Sequence, residues 1–166
     1  VVDTSGYTAE QASTSAEALR DHIGHYTFVS SVSVYRSFAP GRAYDEEAPV
    51  QAGHEGYGAL KARSEEVLHD QFPNRLACVR PGLIVGPHDP TERFTYWVRR
   101  IARGGRVLAP GRPERPVQFI DVRDLGRWCV HLAEQRSAGV FNATGPTNTF
   151  TMAELLETCQ AATASD

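Results

Sequence analysis

Short runs of strand-forming residues alternate along this chain with longer stretches of helical spacing, and that alternation leaves few architectures open. Residues 25–31 (His25 to Ser31), Arg75 to Val85 and Gly139 to Ala143 are rich in β-branched, aromatic and other apolar residues and read as strands. Val1-Val2 reads as the end of another, and shorter strands are expected near Val107-Leu108 and Val117-Ile120. Helices are expected between them. One spans 9–22, with Thr8 as N-cap and Gln11 completing a capping box. A second spans about 57–72, with Leu60, Ser64, Val67 and Leu68 on one side and Pro73-Asn74 as its stop. A third spans 91–103, where Phe94, Trp97, Val98 and Ile101 follow the i, i+3, i+4, i+7 spacing, ended by Gly104-Gly105. A fourth spans 121–136 behind Asp121, and the last opens with the capping box of Thr151 and Glu154. Strand, helix, strand in this order predicts an α/β fold around a mainly parallel sheet. The loop 36–56, punctuated by Pro40-Gly41 and Pro49, is long enough to suggest function. The tail from Ala161 to Asp166 is expected to fray.

Composition narrows the function. A net charge of -3 over 166 residues argues against a protein that coats nucleic acid or an anionic membrane, so neither is expected as a partner. No run approaches eighteen apolar residues. Three cysteines without a CxxC exclude a disulfide framework on pattern and fit a reducing, cytoplasmic setting. The six histidines lack HxH and HExxH spacings, and no metal site is expected. The chain opens on Val1-Val2-Asp3-Thr4 and its sole methionine is Met152, so we expect a piece of a longer protein. One lysine stands against sixteen arginines, a bias that base composition alone can produce.

The lone lysine sits in Tyr57-Gly58-Ala59-Leu60-Lys61. Positions i and i+4 share a helix face, so a phenol and an ammonium lie side by side. A neighbouring cation favours the phenolate, and a phenol tuned toward neutrality is a useful general acid or base. The plainer reading is a first-turn aromatic beside a solvated charge. Upstream, Phe28-Val29-Ser30-Ser31-Val32-Ser33-Val34-Tyr35 runs from a strand into a loop. Parallel sheets bind ligands at their carboxyl ends, where a serine hydroxyl can donate to a developing oxyanion. Serines also simply terminate strands.

Together these segments resemble the extended short-chain dehydrogenase/reductase superfamily, of the NAD-dependent epimerase/dehydratase type. Its strand motif SSxxVYG and helix motif YGxxK are matched, with Arg36 in place of the usual glycine. Arg80-Pro81-Gly82 through Gly86-Pro87 is similar to its RPxxxxGP segment. Phe119 to Asp124 and Val140-Phe141-Asn142-Ala143 are similar to its late motifs, so the likeness covers residues 1 to about 160. The resemblance implies catalysis by Ser31, Tyr57 and Lys61. It implies NAD or NADP contacts from Asp3, Thr4, Ser5, Tyr57, Lys61, Arg80, Pro81 and Gly82. It also implies a Rossmann-like sheet of which this chain holds the later part. Residues 1–85 are expected to be the second half of the dinucleotide-binding sheet, and 86–166 the substrate-binding portion.

No glycine-rich GxxGxxG turn occurs here, so this chain alone is expected to bind the dinucleotide poorly. Nine arginines lie between 93 and 127, and the resemblance implies a sugar-nucleotide diphosphate there. Arg93, Arg112 and Arg123 are the candidate contacts, with Ser31, Ser33 and His88. Arg99, Arg100 and Arg103 are expected on a wet helix face. The loop acids Glu46, Glu47 and Glu55 are either further acid/base groups or a solvated cluster. The competing reading is a non-catalytic relative that binds nucleotide or RNA. The resemblance further implies a homodimer through the helices at 9–22 and 57–72, and a sheet lacking its first strands would expose an edge prone to pairing.

Overall fold

The structure, a computed structural model, describes residues 1–39 and 41–165; the expected turn residue Pro40 and the final Asp166 lie outside the described residues. The chain divides into two units. The first comprises Val1–Gly82 and Arg123–Ala143, the second Leu83–Val122 and Thr144–Asp166. The division therefore falls at Gly82 rather than after Val85, and residues 123–143 belong with the first unit. The expected single strand 75–85 is two strands in different sheets, because the chain leaves the first sheet at Pro81, which has no N–H to give.

The first unit is built on a four-stranded parallel sheet in the order β1-β2-β3-β7. Its strands are β1 (Val2–Asp3), β2 (Tyr26–Val29), β3 (Leu76–Pro81) and β7 (Gly139–Ala143). Helix α1 (Ala9–Leu19) starts where expected. The Thr8 hydroxyl accepts from Gln11 N–H while the Gln11 side chain accepts from Thr8 N–H. Helix α2 (Tyr57–Gln71) follows Gly56, whose φ of 86° few other residues adopt. Ala12 and Ala16 of α1 and Leu68 of α2 close over Tyr26, Phe28, Leu76 and Cys78, with Phe72 stacked on Tyr26. These residues alternate along β2 and β3, so α1 and α2 cover one face of the sheet. Helix α4 (Val122–Gln135) packs Trp128 against Phe141, whose neighbour in register is Val79, and so covers the opposite face.

In the second unit β4 (Leu83–Val85) pairs in parallel with β6 (Phe119–Asp121), and β5 (Pro116–Val117) pairs antiparallel with β8 (Phe150–Thr151). Helices α3 (Thr95–Ala102) and α5 (Met152–Thr163) share a core of Ile101, Met152, Leu155 and Cys159. The capping box of Thr151 and Glu154 forms as expected. Two expectations fail here. Val107-Leu108 is no strand: Leu108 is 93% exposed in a Gly- and Pro-flanked loop. The tail from Ala161 does not fray at once, since the backbone ladder carries α5 to Thr163 before Ala164 turns left-handed. No described helix is long and apolar enough to cross a membrane.

Candidate active site

Asp3 ends β1 and organises the loop behind it. Its Oδ1 accepts from Ser5 N–H at 2.8 Å, Gly6 N–H at 3.0 Å and the Ser5 hydroxyl at 3.1 Å, while Oδ2 accepts from the Tyr26 hydroxyl at 2.7 Å. Burial pushes its carboxyl up, but the bonds from Ser5, Tyr26 and Gly6 outweigh it and hold the group below the ordinary carboxylate value. Burial and the adjoining Asp3 push the Tyr26 phenol well up. The turn needs Gly6: a Cβ there would lie 3.0 Å from both Asp3 Oδ2 and the Phe28 ring. It leaves the Gly6 carbonyl facing α2.

Lys61 reaches that carbonyl. Its Nζ donates to Gly6 O at 2.7 Å and to Val29 O at 2.8 Å, at the carboxyl ends of β1 and β2. It lies 4.5 Å from the Phe28 ring centroid and 5.1 Å from that of Tyr7. The side chain is only 2% exposed. Burial lowers its pKa, and the Asp3 and Glu65 carboxylates oppose that fall. The solvated charge of the plainer sequence reading is therefore a buried, doubly bonded ammonium. Tyr57, one turn earlier, is 48% exposed, and its ring lies 6.2 Å from Tyr7, so Tyr7 stands beside both members of the pair.

Ser31 follows β2 and is buried; its Oγ accepts from Ser33 N–H at 3.0 Å and starts a 3-10 turn over Val32–Val34. The first turn of α2 presses against this segment. A Cβ on Gly58 would sit 2.0 Å from Ser33 O, which only glycine avoids. Gln51 donates to the same carbonyl at 2.7 Å. The structure thus brings phenol, ammonium and hydroxyl to one rim of the sheet. Ser30, beside Ser31, has a buried hydroxyl without a partner among the described residues.

Other expected residues are placed differently. The Arg80 guanidinium is taken up by partners within the protein. It lies on the α2 side of the sheet, donating from Nε and Nη2 to Glu65 at 3.0 and 2.7 Å, and from Nη1 to the Tyr35 hydroxyl and Glu46 O. The pleat of β3 sends its side chain to the face of Leu76 and Cys78, under α2. Pro81 is buried, and Gly82 N–H donates to Ala143 O. Thr4 is exposed. Glu46 is no free acid: its carboxylate accepts from Asn142 N–H at 2.7 Å, while Glu47 and Glu55 are exposed. In the second unit His88 is an exposed loop residue with φ of 67°, and Arg112 is exposed. Arg93 shares a hollow of about 350 Å³ with Arg115, Trp97 and Phe119. Arg123, exposed, begins the α4 segment of the first unit. Arg99 pairs with Glu92, and Arg100 bonds Gly104 O and Arg106 O.

Sequence reasoning missed Tyr7, Gln51, Glu65 and Arg115. Glu65 alone carried a usable signal, at i+4 from Lys61 on the same helix face. A hollow of about 690 Å³ in the first unit lies along Glu65, His69, Cys78, Arg80 and Val140, and none of Ser31, Tyr57 and Lys61 lines it. Among the described residues no group of His, Cys, Asp or Glu is placed to hold a metal ion.

A sequence profile of the NAD dependent epimerase/dehydratase family matches residues 10–144. The chain belongs to that family. No curated protein matches it. Several solved structures of the epimerase type share its fold. UDP-N-acetylglucosamine 4-epimerase from Methanobrevibacter ruminantium M1, in complex with UDP-N-acetylmuramic acid, is 22% identical with a TM-score of 0.79, over 95% of this chain and 53% of that one. UDP-glucuronic acid 4-epimerase from Bacillus cereus, in complex with NAD, is 17% identical with a TM-score of 0.77, over 94% and 52%. RMD from Pseudomonas aeruginosa, complexed with NADPH, is 20% identical with a TM-score of 0.77, over 95% and 58%. The chain spans about half the length of these three structures, which carry the same Rossmann-like α/β fold.

Proposed function

We propose that the protein carrying this chain is an NAD(P)-dependent oxidoreductase, epimerase or dehydratase acting on a hydroxyl or carbonyl carbon of a sugar nucleotide. The observation that supports it most is the buried Lys61 ammonium, anchored by two carbonyls beside Tyr7 one turn from Tyr57. An ammonium has three hydrogens, and Lys61 gives two to the backbone; the third is available to a ribose hydroxyl or to the phenolate. That donor set suits the nicotinamide-ribose end of a dinucleotide.

In this reading Tyr57 takes the proton from the substrate hydroxyl and returns it to the carbonyl in the reverse step. Lys61 stabilises the phenolate. Ser31 donates to the substrate oxygen as its charge develops. When bound, a nicotinamide cofactor would supply the hydride acceptor for the same carbon and the hydride donor in the reverse step. Arg93 and Arg112 of the second unit are proposed diphosphate contacts, and Arg115 joins them because it shares the Arg93 hollow. Relatives whose names specify UDP-sugars support the substrate class. A homodimer through α1 and α2 is part of the same proposal; light scattering on the full-length protein that returns a monomer mass at high concentration removes it.

The deciding experiment uses the full-length protein. Saturable NAD(H) or NADP(H) binding is expected, with turnover of a UDP-sugar reduced about 10²- to 10⁴-fold in Tyr57→Phe and dinucleotide affinity retained. Salt-sensitive RNA binding indifferent to that substitution, without dinucleotide binding, replaces the enzyme reading with the binder reading.

A further inference from the structure

The first two turns of α2 bury only small or polar side chains: Gly58, Ala59, Lys61, Ala62, Ser64 and Glu65. Small side chains offer no large knob to key the rotation of a helix on its sheet. The turns that carry Tyr57 and Lys61 are therefore held in register by polar bonds. Lys61 supplies one set. The other begins one turn further on, at Glu65.

Both oxygens of Glu65 receive Arg80, at 3.0 and 2.7 Å, and the two side chains are 10% and 6% exposed. Two parallel N–H···O bonds fix orientation as well as distance. Arg80 continues the connection. Its Nη1 donates to the Tyr35 hydroxyl at 3.1 Å and to Glu46 O at 3.2 Å, and its guanidinium carbon lies 5.0 Å from the centroid of the Tyr35 ring. Tyr35 ends the 3-10 turn that Ser31 starts, and its hydroxyl donates to Asn142 Oδ1 at 2.7 Å. Asn142 N–H returns to the Glu46 carboxylate. Helix α2, strand β3, the Ser31 turn, the following loop and β7 thus meet at one buried ion pair.

Such a pair is a poor device for stability alone. Desolvating two charges costs about as much as their attraction returns, and well-packed apolar residues often serve as well. We propose that Glu65 and Arg80 are positioning residues, which set the rotation of α2 and, through Tyr35, the seat of the Ser31 turn, so that Tyr57, Lys61 and Ser31 stay aligned. This rests on the enzymatic reading above for its consequence, though not for its geometry.

The test takes the full-length protein with Glu65→Gln, which keeps the shape of the side chain, and Tyr35→Phe, which keeps the ring and removes only the relay hydroxyl. Well below the unfolding midpoint, kcat for a UDP-sugar should fall about 10²-fold in Glu65→Gln and about tenfold in Tyr35→Phe, with KM and dinucleotide affinity changed about threefold at most. Amide exchange should quicken at 31–36 and 57–62 while β3 keeps its protection. Unchanged kcat in both folded variants, or exchange that is unchanged or rises uniformly, overturns the proposal. If the wild-type protein neither binds NAD(P) nor turns over a UDP-sugar, the enzymatic reading is what fails, and the exchange pattern alone decides the positioning role.

Discussion

Among the described residues, buried charge is confined to the first of the two units, whose surface also carries exposed pairs such as Arg63 and Glu66. In the first, Asp3, Lys61, Glu65 and Arg80 are all buried, and each is held by several named bonds. In the second, the ion pair of Arg99 and Glu92 has side chains 61% and 52% exposed, and Arg93 and Arg112 face solvent. The first unit hangs these groups on a four-stranded parallel sheet, the second on two pairs of strands two or three residues long. A buried charge is tolerated only in a fixed geometry, which suits proton transfer. Exposed guanidinium groups keep rotamer freedom and attract an anion at low cost in stability. The contrast fits the proposed division between reaction and recognition.

The harshest probe of the rigid unit is Gly58→Ala. The added methyl meets the Ser33 backbone carbonyl oxygen at 2.0 Å, which cannot swing aside as a flexible side chain would, so α2 or the Ser31 turn must move. A loss of about 3 kcal/mol is expected, at the upper end for overpacking, read from urea midpoints. Gly126 is the matched control. It lies in α4, where a methyl would meet nothing within 4 Å among the described residues, and alanine there should gain up to about 1 kcal/mol in helix propensity. Equal effects at the two positions would break the claim that the Tyr57 turn is fixed by close contact.

A smaller effect is expected at Asp3, and it carries a pH signature. Its folded pKa is depressed, so the stability it contributes is fully present above the unfolded carboxylate value near pH 4 and is lost as pH falls through the folded value. Asp3→Asn should cost about 2 kcal/mol at neutral pH, as expected for bonds to a charged acceptor. The difference from wild type should shrink as pH falls below about 4. Glu154 of the second unit is also depressed, by its capping bonds to Thr151, but is fully exposed. Glu154→Gln should leave the acid limb of the stability profile nearly unchanged. A pH-independent deficit in Asp3→Asn would place the loss in packing rather than charge.

What the sequence made legible follows the same division. The parallel sheet, four of the five helix starts and both capping boxes were readable because they rest on local spacing and cap chemistry. The rim shared by Ser31, Tyr57 and Lys61 was readable because a helical turn and a strand exit place them. The occupation of Arg80 was not, because pleat direction decides it and Glu65 lies fifteen positions away. Nor was the break at Gly82, where one apolar run serves two sheets. Helix 91–103 shortened to Thr95–Ala102, since the apolar spacing begins at Phe94 but no capping side chain precedes it. Tyr7 carried no periodic signal at all, being a loop residue.

The mildest substitutions test the recognition side. Arg93 is exposed and donates to Thr91 Oγ1 at 3.1 Å, and Arg115 shares its hollow. Arg93→Ala and Arg115→Ala should each leave stability within about 0.5 kcal/mol. If these guanidinium groups meet a diphosphate, each loss should raise KM for a UDP-sugar about tenfold while kcat holds, because an interaction made equally in ground and transition states alters binding alone. The rise should be smaller in high salt, where the wild-type advantage is itself screened. A fall in kcat with unchanged KM would place these arginines with the reacting groups and overturn the proposed separation of rigid chemistry from adaptable recognition.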